Sequence, residues 1–255
     1  MNIDIKQEER NIKADIKRAV RTEAQFGCAV CGNPIIEYHH IQPYHEVLCH
    51  EIENLIALCP THHYKGDRGM IPREKLYELK KKPFNSFKEN IKDDFFLGSY
   101  DQLEFKLGTV TFIRTPNLFV VDDLPLISVT KDEANNAIIN AKFFDKDSNL
   151  VAEIQDNEWI TYLNQDQIWD IQYTGGKLKV NSSKGKVFLE LYANPGENYV
   201  QLKSNLYYKG HFFNIQPSKL TVGFQTPKEP RGVFILKNST VTDCGNGIVV
   251  SSSVL

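Results

Sequence analysis

Six of the seven histidines (His39, His40, His45, His50, His62, His63) and four of the five cysteines (Cys28, Cys31, Cys49, Cys59) fall within residues 28–63 of this 255-residue chain. Thiolate sulfur and imidazole nitrogen are the donors that tetrahedral zinc sites use, so this crowding marks a metal region. Cys28-x-x-Cys31 and Cys59-x-x-His62 form two ligand pairs. One CxxC alone reads equally as a redox pair; the second pair and the neighbouring histidines favour structural Zn2+. The N-terminus is polar, without the apolar core of a signal peptide. No run approaches the roughly 20 apolar residues of a membrane helix. The expected compartment is the cytoplasm, where thiols stay reduced and cysteines serve metals or packing.

A formal net charge of −2 and a pI near 6.4 exclude bulk basic attraction to nucleic acid. Any attraction to phosphate must come from a local patch or a bound cation. Residues 9–26 read as a helix, with Ile12, Ile16 and Val20 on one stripe. Arg10, Lys13, Lys17, Arg18 and Arg21 lie around it, and Gly27 is the expected stop. After the Asn33-Pro34 turn, Ile35–His40 reads as a strand, with Ile41–Tyr44 returning as its partner. Asn54–Leu58 is an apolar run. Cys59-Pro60 then opens a short helix to about Lys65, and Pro72 opens another.

From residue 84 the texture changes to short β-branched and aromatic runs separated by Asn, Asp, Gly and Ser. Segments such as GTVTFIR, AIINAKFF and KVFLELY read as strands. No helical pattern alternates with them, which argues against a parallel βαβ sheet. The expected fold class is α+β: a zinc-stabilised module over 1–83, then an all-β domain over 84–255, a sandwich, barrel or small β-solenoid. The tail VFILKNSTVTDCGNGIVVSSS has the rhythm of β-helix rungs without a reliable period.

The elements CAVCG, EYHHIQP, ENLIALC and CPTHHYK, in this order, resemble the HNH endonuclease family over roughly residues 21–69. The resemblance implies a ββα-metal fold and hydrolysis of phosphodiester bonds, DNA before RNA. It assigns His40 as general base, and His39 and His63 as ligands of a catalytic Mg2+ or Mn2+. It makes Asn54 the residue that fixes the active-site loop, and Cys28, Cys31, Cys59 and His62 the zinc ligands. The chain departs from the family in having His62 where a cysteine is usual. The loop YHEVLCHEIE also lacks the common Gly-Gly, and His45, Cys49 and His50 within it are candidate extra ligands. Imidazole, with an unperturbed pKa near 6.5, suits a base at neutral pH. Adjacent residues on a strand point to opposite faces, so His39 and His40 can do different work.

Lys65, Arg68 and Arg73 follow the histidine helix and are candidate phosphate contacts; the plainer reading is a solvated face. Trp159, Trp169, Tyr162, Tyr173, Tyr192, Tyr199, Tyr207 and Tyr208 are either stacking platforms for bases or ordinary core. Asp145, Asp147 and Asn149 read as a β-turn, since a calcium loop's central Gly and terminal Glu are lacking. The β domain is expected to serve recognition, sensing or oligomerisation, with a homodimer, a higher oligomer, a regulatory protein or a ligand as its partner. Two rivals stand beside the nuclease reading. One is a zinc fold that binds nucleic acid or a partner without cutting; the other is an oligomeric β scaffold carrying a regulated nuclease effector.

Overall fold

The computed structural model describes residues 11–163, 168–225 and 229–251. The chain divides into two compact units, Met1–Ile91 and Lys92–Leu255. Residues 9 and 10, with Arg10, lie outside the described residues, as does the end of the tail beyond Ser251.

The first unit is built on α1 (Ala14–Glu23), β1 (Glu37–His40), α2 (Tyr44–Val47), β2 (Leu55–Leu58), α3 (Pro60–Asp67) and α4 (Arg73–Lys81). β1 pairs antiparallel with β2, His39 opposite Ile56 and His40 opposite Leu55. The expectation that Ile41–Tyr44 would be the partner of β1 is corrected here. Ile41 instead donates its backbone N–H to the Asn54 carbonyl, and Pro43, lacking an N–H, precedes α2. α1 ends before Gly27: the chain turns at Gln25 and Phe26, both at positive φ.

All four β2 residues are buried, which is why the segment shows no polar alternation. Leu55 and Ala57 pack with Val20 of α1 and with Ala24 just after it. Ile56 and Leu58 pack with Cys28, Ala29, Ile41, Cys59 and Leu76. The strand is thus covered on both sides, with successive side chains going to opposite layers.

The second unit is all β. Among the described residues, a seven-stranded sheet runs in spatial order Asn246–Val250, Asn117–Val121, Leu124–Lys131, Ala137–Phe144, Leu150–Gln155, Glu158–Tyr162 and Asn90–Asp94, the last strand carrying the chain in from the first unit. A ten-stranded sheet holds the meander from Asp170–Thr174 to Pro230–Leu236, with Glu104–Leu107, Val110–Ile113 and Ser239–Thr242 branching from it. Both sheets bury alternate apolar side chains, and Phe119 of one meets Phe213 of the other at 4.7 Å between ring centres.

The rung-like tail stacks in parallel on an earlier segment. Ser239–Thr242 pairs with Val110–Ile113, and Asn246–Val250 pairs with Asn117–Val121. Side chains 129 residues apart bond across this stack: Arg114 to Asp243, and Asn117 Nδ2 to Asn246 Oδ1 at 3.0 Å. Glu104–Leu107 also pairs in parallel, with Tyr199–Tyr208, whereas the strands from Asn117–Val121 to Glu158–Tyr162 and from Asp170–Thr174 to Pro230–Leu236 pair antiparallel with their neighbours in sequence.

Candidate active site

A sharp loop after α1 places Cys28 and Cys31. The Gly32 N–H donates to the Cys28 carbonyl at 2.8 Å, and the Cys28 N–H donates to Asn33. Gly32 has φ +79°, and a Cβ there would strike the side chain of buried Asn85. Cys59 lies just before α3 with Pro60 at its first position, and one turn on, His62 faces back to it. Sγ of Cys59 lies 3.2 Å from Nδ1 of His62, Sγ of Cys28 lies 3.5 Å from the same nitrogen, and the Sγ atoms of Cys31 and Cys59 are 3.8 Å apart. A tetrahedron of thiolates about 2.3 Å from zinc has edges of about 3.8 Å, so the spacing fits that ion. Burial pushes the Cys28 thiol up to about 12, and burial lowers His62, with the Lys65 charge adding to that. A cation at the centre would reverse the thiol preference, since a coordinating thiol is deprotonated.

The second constellation sits where β1 meets α3. Nδ1 of His39 lies 3.2 Å from one carboxylate oxygen of Asp67, and Nδ1 of His63 lies 3.2 Å from the other. Glu37 approaches His63 at 3.6 Å. The rings of His39 and His63 meet edge to face, 5.0 Å apart. His39 is 6% exposed, and a Cβ at Gly66 would come within 2.9 Å of its Nε2. Glycine inside this helix therefore makes room for the imidazole, outweighing its poor helix propensity. One ligand atom each from His39, His63 and Asp67 lies within 4.8 Å of the others, a donor set suited to a divalent cation. Burial lowers the pKa of His39, and the His63 charge adds to this while Asp67 opposes it.

His39 and His40 border one cavity of about 610 Å³, with Tyr44, His63, Asp67 and Arg73. Alternation buries His39 and leaves His40 half-buried. His40 nevertheless reaches the same groove because it is the last residue of β1. Its Nε2 lies 3.0 Å from Nδ1 of His50. Burial lowers its pKa first, then the charges of His50, His39 and His63. Asn54 grips the loop after His40: its Oδ1 accepts from the Gln42 N–H at 2.8 Å and its Nδ2 donates to the Gln42 carbonyl at 2.9 Å.

Residues 28–67 match the HNH endonuclease family model. This HNH module and its four-donor cluster point to nuclease-type chemistry with zinc or another metal. No curated protein and no solved structure matches the chain.

The other expected residues scatter. Arg73 borders the groove but pairs with Glu46 at 2.9 Å. Arg68 lies over the Tyr64 ring, and neither it nor Lys65 borders the cavity. His45 is exposed at the groove rim, and Cys49 belongs to neither donor cluster. Trp159 and Tyr173 are core, whereas Tyr192, Tyr199, Tyr207 and Tyr208 are half-buried. Asp145 accepts the backbone N–H groups of Asp147 and Asn149, a turn held by its own carboxylate. Sequence reasoning missed Asp67 and Glu37. The signals were present: His63 and Asp67 are four apart on a helix, and Glu37 and His39 two apart on a strand. No helix among the described residues is long and apolar enough to cross a membrane.

Proposed function

We propose that the HNH module hydrolyses phosphodiester bonds in nucleic acid, with DNA as the substrate class, and that the β unit selects the substrate, the partner or the trigger. The observation carrying this reading is the meeting of the His39–His63–Asp67 donor set with His40 in one groove. His40, neutral at pH 7, takes a proton from the attacking water. Asn54 holds the loop that aims His40, and Asp67 orients both His39 and His63. A Mg2+ or Mn2+ ion held by His39, His63 and Asp67 would polarise the scissile phosphate and steady the leaving 3′ oxygen. Arg73, from the groove wall, is the basic residue best placed for phosphate, and Lys65 and Arg68 would act farther along the strand. Cys28, Cys31, Cys59 and His62 hold structural Zn2+, and the cytoplasm, where thiols stay reduced, is the compartment assigned.

A small nuclease joined to a separate β unit suits restriction, phage defence or mobile-element roles; this step is analogy at the level of architecture. Assembly of two copies is part of the proposal. The end strands Pro230–Leu236 and Asn246–Val250 leave Val233, Phe234, Ile235 and Val249 exposed, and such edges invite strand pairing. A module with one base cuts one strand per encounter, so a double-strand break would need both copies. The test uses zinc-loaded full chain, depleted of other divalent ions, with supercoiled plasmid and structured RNA as substrates. Adding Mg2+ or Mn2+ should convert plasmid first to nicked circles, with linear product rising as dimer forms. Binding without cutting under every metal condition would support the non-catalytic alternative and overturn the nuclease reading.

A further inference from the structure

We propose that His50 is the positioning residue for His40, accepting a hydrogen bond that leaves the other nitrogen of His40 free for the attacking water; this rests on the reading of His40 as the base. A neutral imidazole has one N–H and one lone pair. A base working through Nδ1 must therefore carry its hydrogen on Nε2, and that N–H needs an acceptor on the side away from substrate. Nδ1 of His50 lies 3.0 Å from Nε2 of His40. His40 borders the groove and half-buried His50 does not, so the pair runs away from the groove.

His50 is itself held in place. Its ring stacks on Tyr44 at 4.8 Å and 19° between planes, and Tyr44 meets His40 at 5.4 Å and 60°. Tyr44 begins α2 and His50 follows Leu48, whose positive φ turns the chain back. The loop between β1 and β2 thereby folds over the back of His40. Among the described residues His50 belongs to neither cluster of metal donors.

During the step the water O–H bond breaks and its proton passes to Nδ1 of His40. The water oxygen bonds to phosphorus as the bond from phosphorus to the 3′ oxygen breaks; that oxygen keeps the electron pair and takes a proton from solvent water, leaving a 3′ hydroxyl and a 5′ phosphate. His40 then carries N–H on both nitrogens, and its Nε2–H still donates to His50. A base oriented by a third group is a recurring device of hydrolytic sites.

The test compares His50→Phe, His50→Ala and His50→Asn in the full zinc-loaded chain, by steady-state cleavage of plasmid. Phe keeps a ring to stack on Tyr44 but offers no acceptor, whereas Asn offers an oxygen near the former Nδ1. The expected result is a drop in kcat of about 10- to 100-fold for Phe and Ala, with KM and zinc content unchanged, and recovery of most of kcat in Asn. His40→Ala combined with His50→Phe should lose no more than His40→Ala alone, because the two act as one unit. Wild-type kcat in both Phe and Ala, or an Asn variant as slow as Phe, would overturn the proposal while leaving His40 as base. Full activity in His40→Ala would overturn both readings together.

Discussion

The two units differ in the side chains that fill their interiors. In the HNH-bearing unit the buried apolar residues among those described are few and mostly small or medium, and two of them, Cys28 and Cys59, belong to the four-donor cluster. In the β unit the fully buried set includes Trp159, Phe112, Phe119, Phe143 and Phe213. On the proposed reading a cation cross-links the loops of the first unit, whereas the β unit rests on ordinary burial of large side chains. Both donor clusters lie in the unit with the smaller core, and Cys59 and His62 of one share α3 and its approach with His63 and Asp67 of the other.

The largest expected effect comes from removing the metal. Structural zinc contributes an apparent 10–16 kcal/mol, roughly, in small modules, so chelation should unfold the first unit. Both tryptophans lie in the β unit, and the long helices lie in the first. Chelation, or Cys28→Ala, should therefore abolish helical circular dichroism and leave tryptophan emission in place. Simultaneous loss of both signals would break the comparison.

Trp159→Ala attacks the other unit. Trp159 is fully buried against Tyr173, and loss of such a side chain costs about 3–5 kcal/mol. The β-unit melting transition should fall, read by the remaining Trp169, while bound zinc stays at one per chain. Loss of zinc in this variant would show that the first unit cannot hold its metal without an intact β core.

Gly66→Ala should act inside the first unit alone. The added methyl needs the space of the His39 ring. Cleavage should drop by at least about tenfold, by analogy with loss of an outer-shell support, with zinc content retained. Unchanged cleavage would mean that His39 relaxes without cost.

The smallest effect expected is a pH dependence of the β unit. His211 is buried, its Nε2 has no hydrogen-bond partner among the described residues, and burial lowers its pKa, with Asp122 opposing. Its folded pKa lies below the unfolded value near 6.5, so its contribution is complete above pH 6.5 and is lost as pH falls below it. Denaturant midpoints followed by tryptophan emission should decline from pH 7.5 to 5.5 in the wild type and decline less in His211→Phe. Equal slopes would remove His211 from the account.

Much of the first unit was legible because its donors are local pairs: CxxC and CxxH fix their own spacing, and the His39-His40 step marks a strand end. The partner of β1 was not legible, since Ile41–Tyr44 and Leu55–Leu58 both look like short strands. Only burial on two sides selects the second. Asp67 was overlooked because a lone acid in KGDRG looks like a surface residue until α3 carries it beside His39. In the β unit, local alternation showed the strands. The parallel stacking of the tail depends on contacts 129 residues apart, and no short window contains them.

The central claim is that the groove of the first unit cuts nucleic acid through His40, independently of the forces that hold the fold. It is tested most directly by His40→Ala in the full chain, with zinc content and tryptophan emission matched to wild type, on supercoiled plasmid with Mg2+ or Mn2+. The account predicts a rate loss on the order of 10²–10⁴-fold, the usual effect of removing a general base, with DNA binding retained. Cleavage near the wild-type rate by that variant would contradict it.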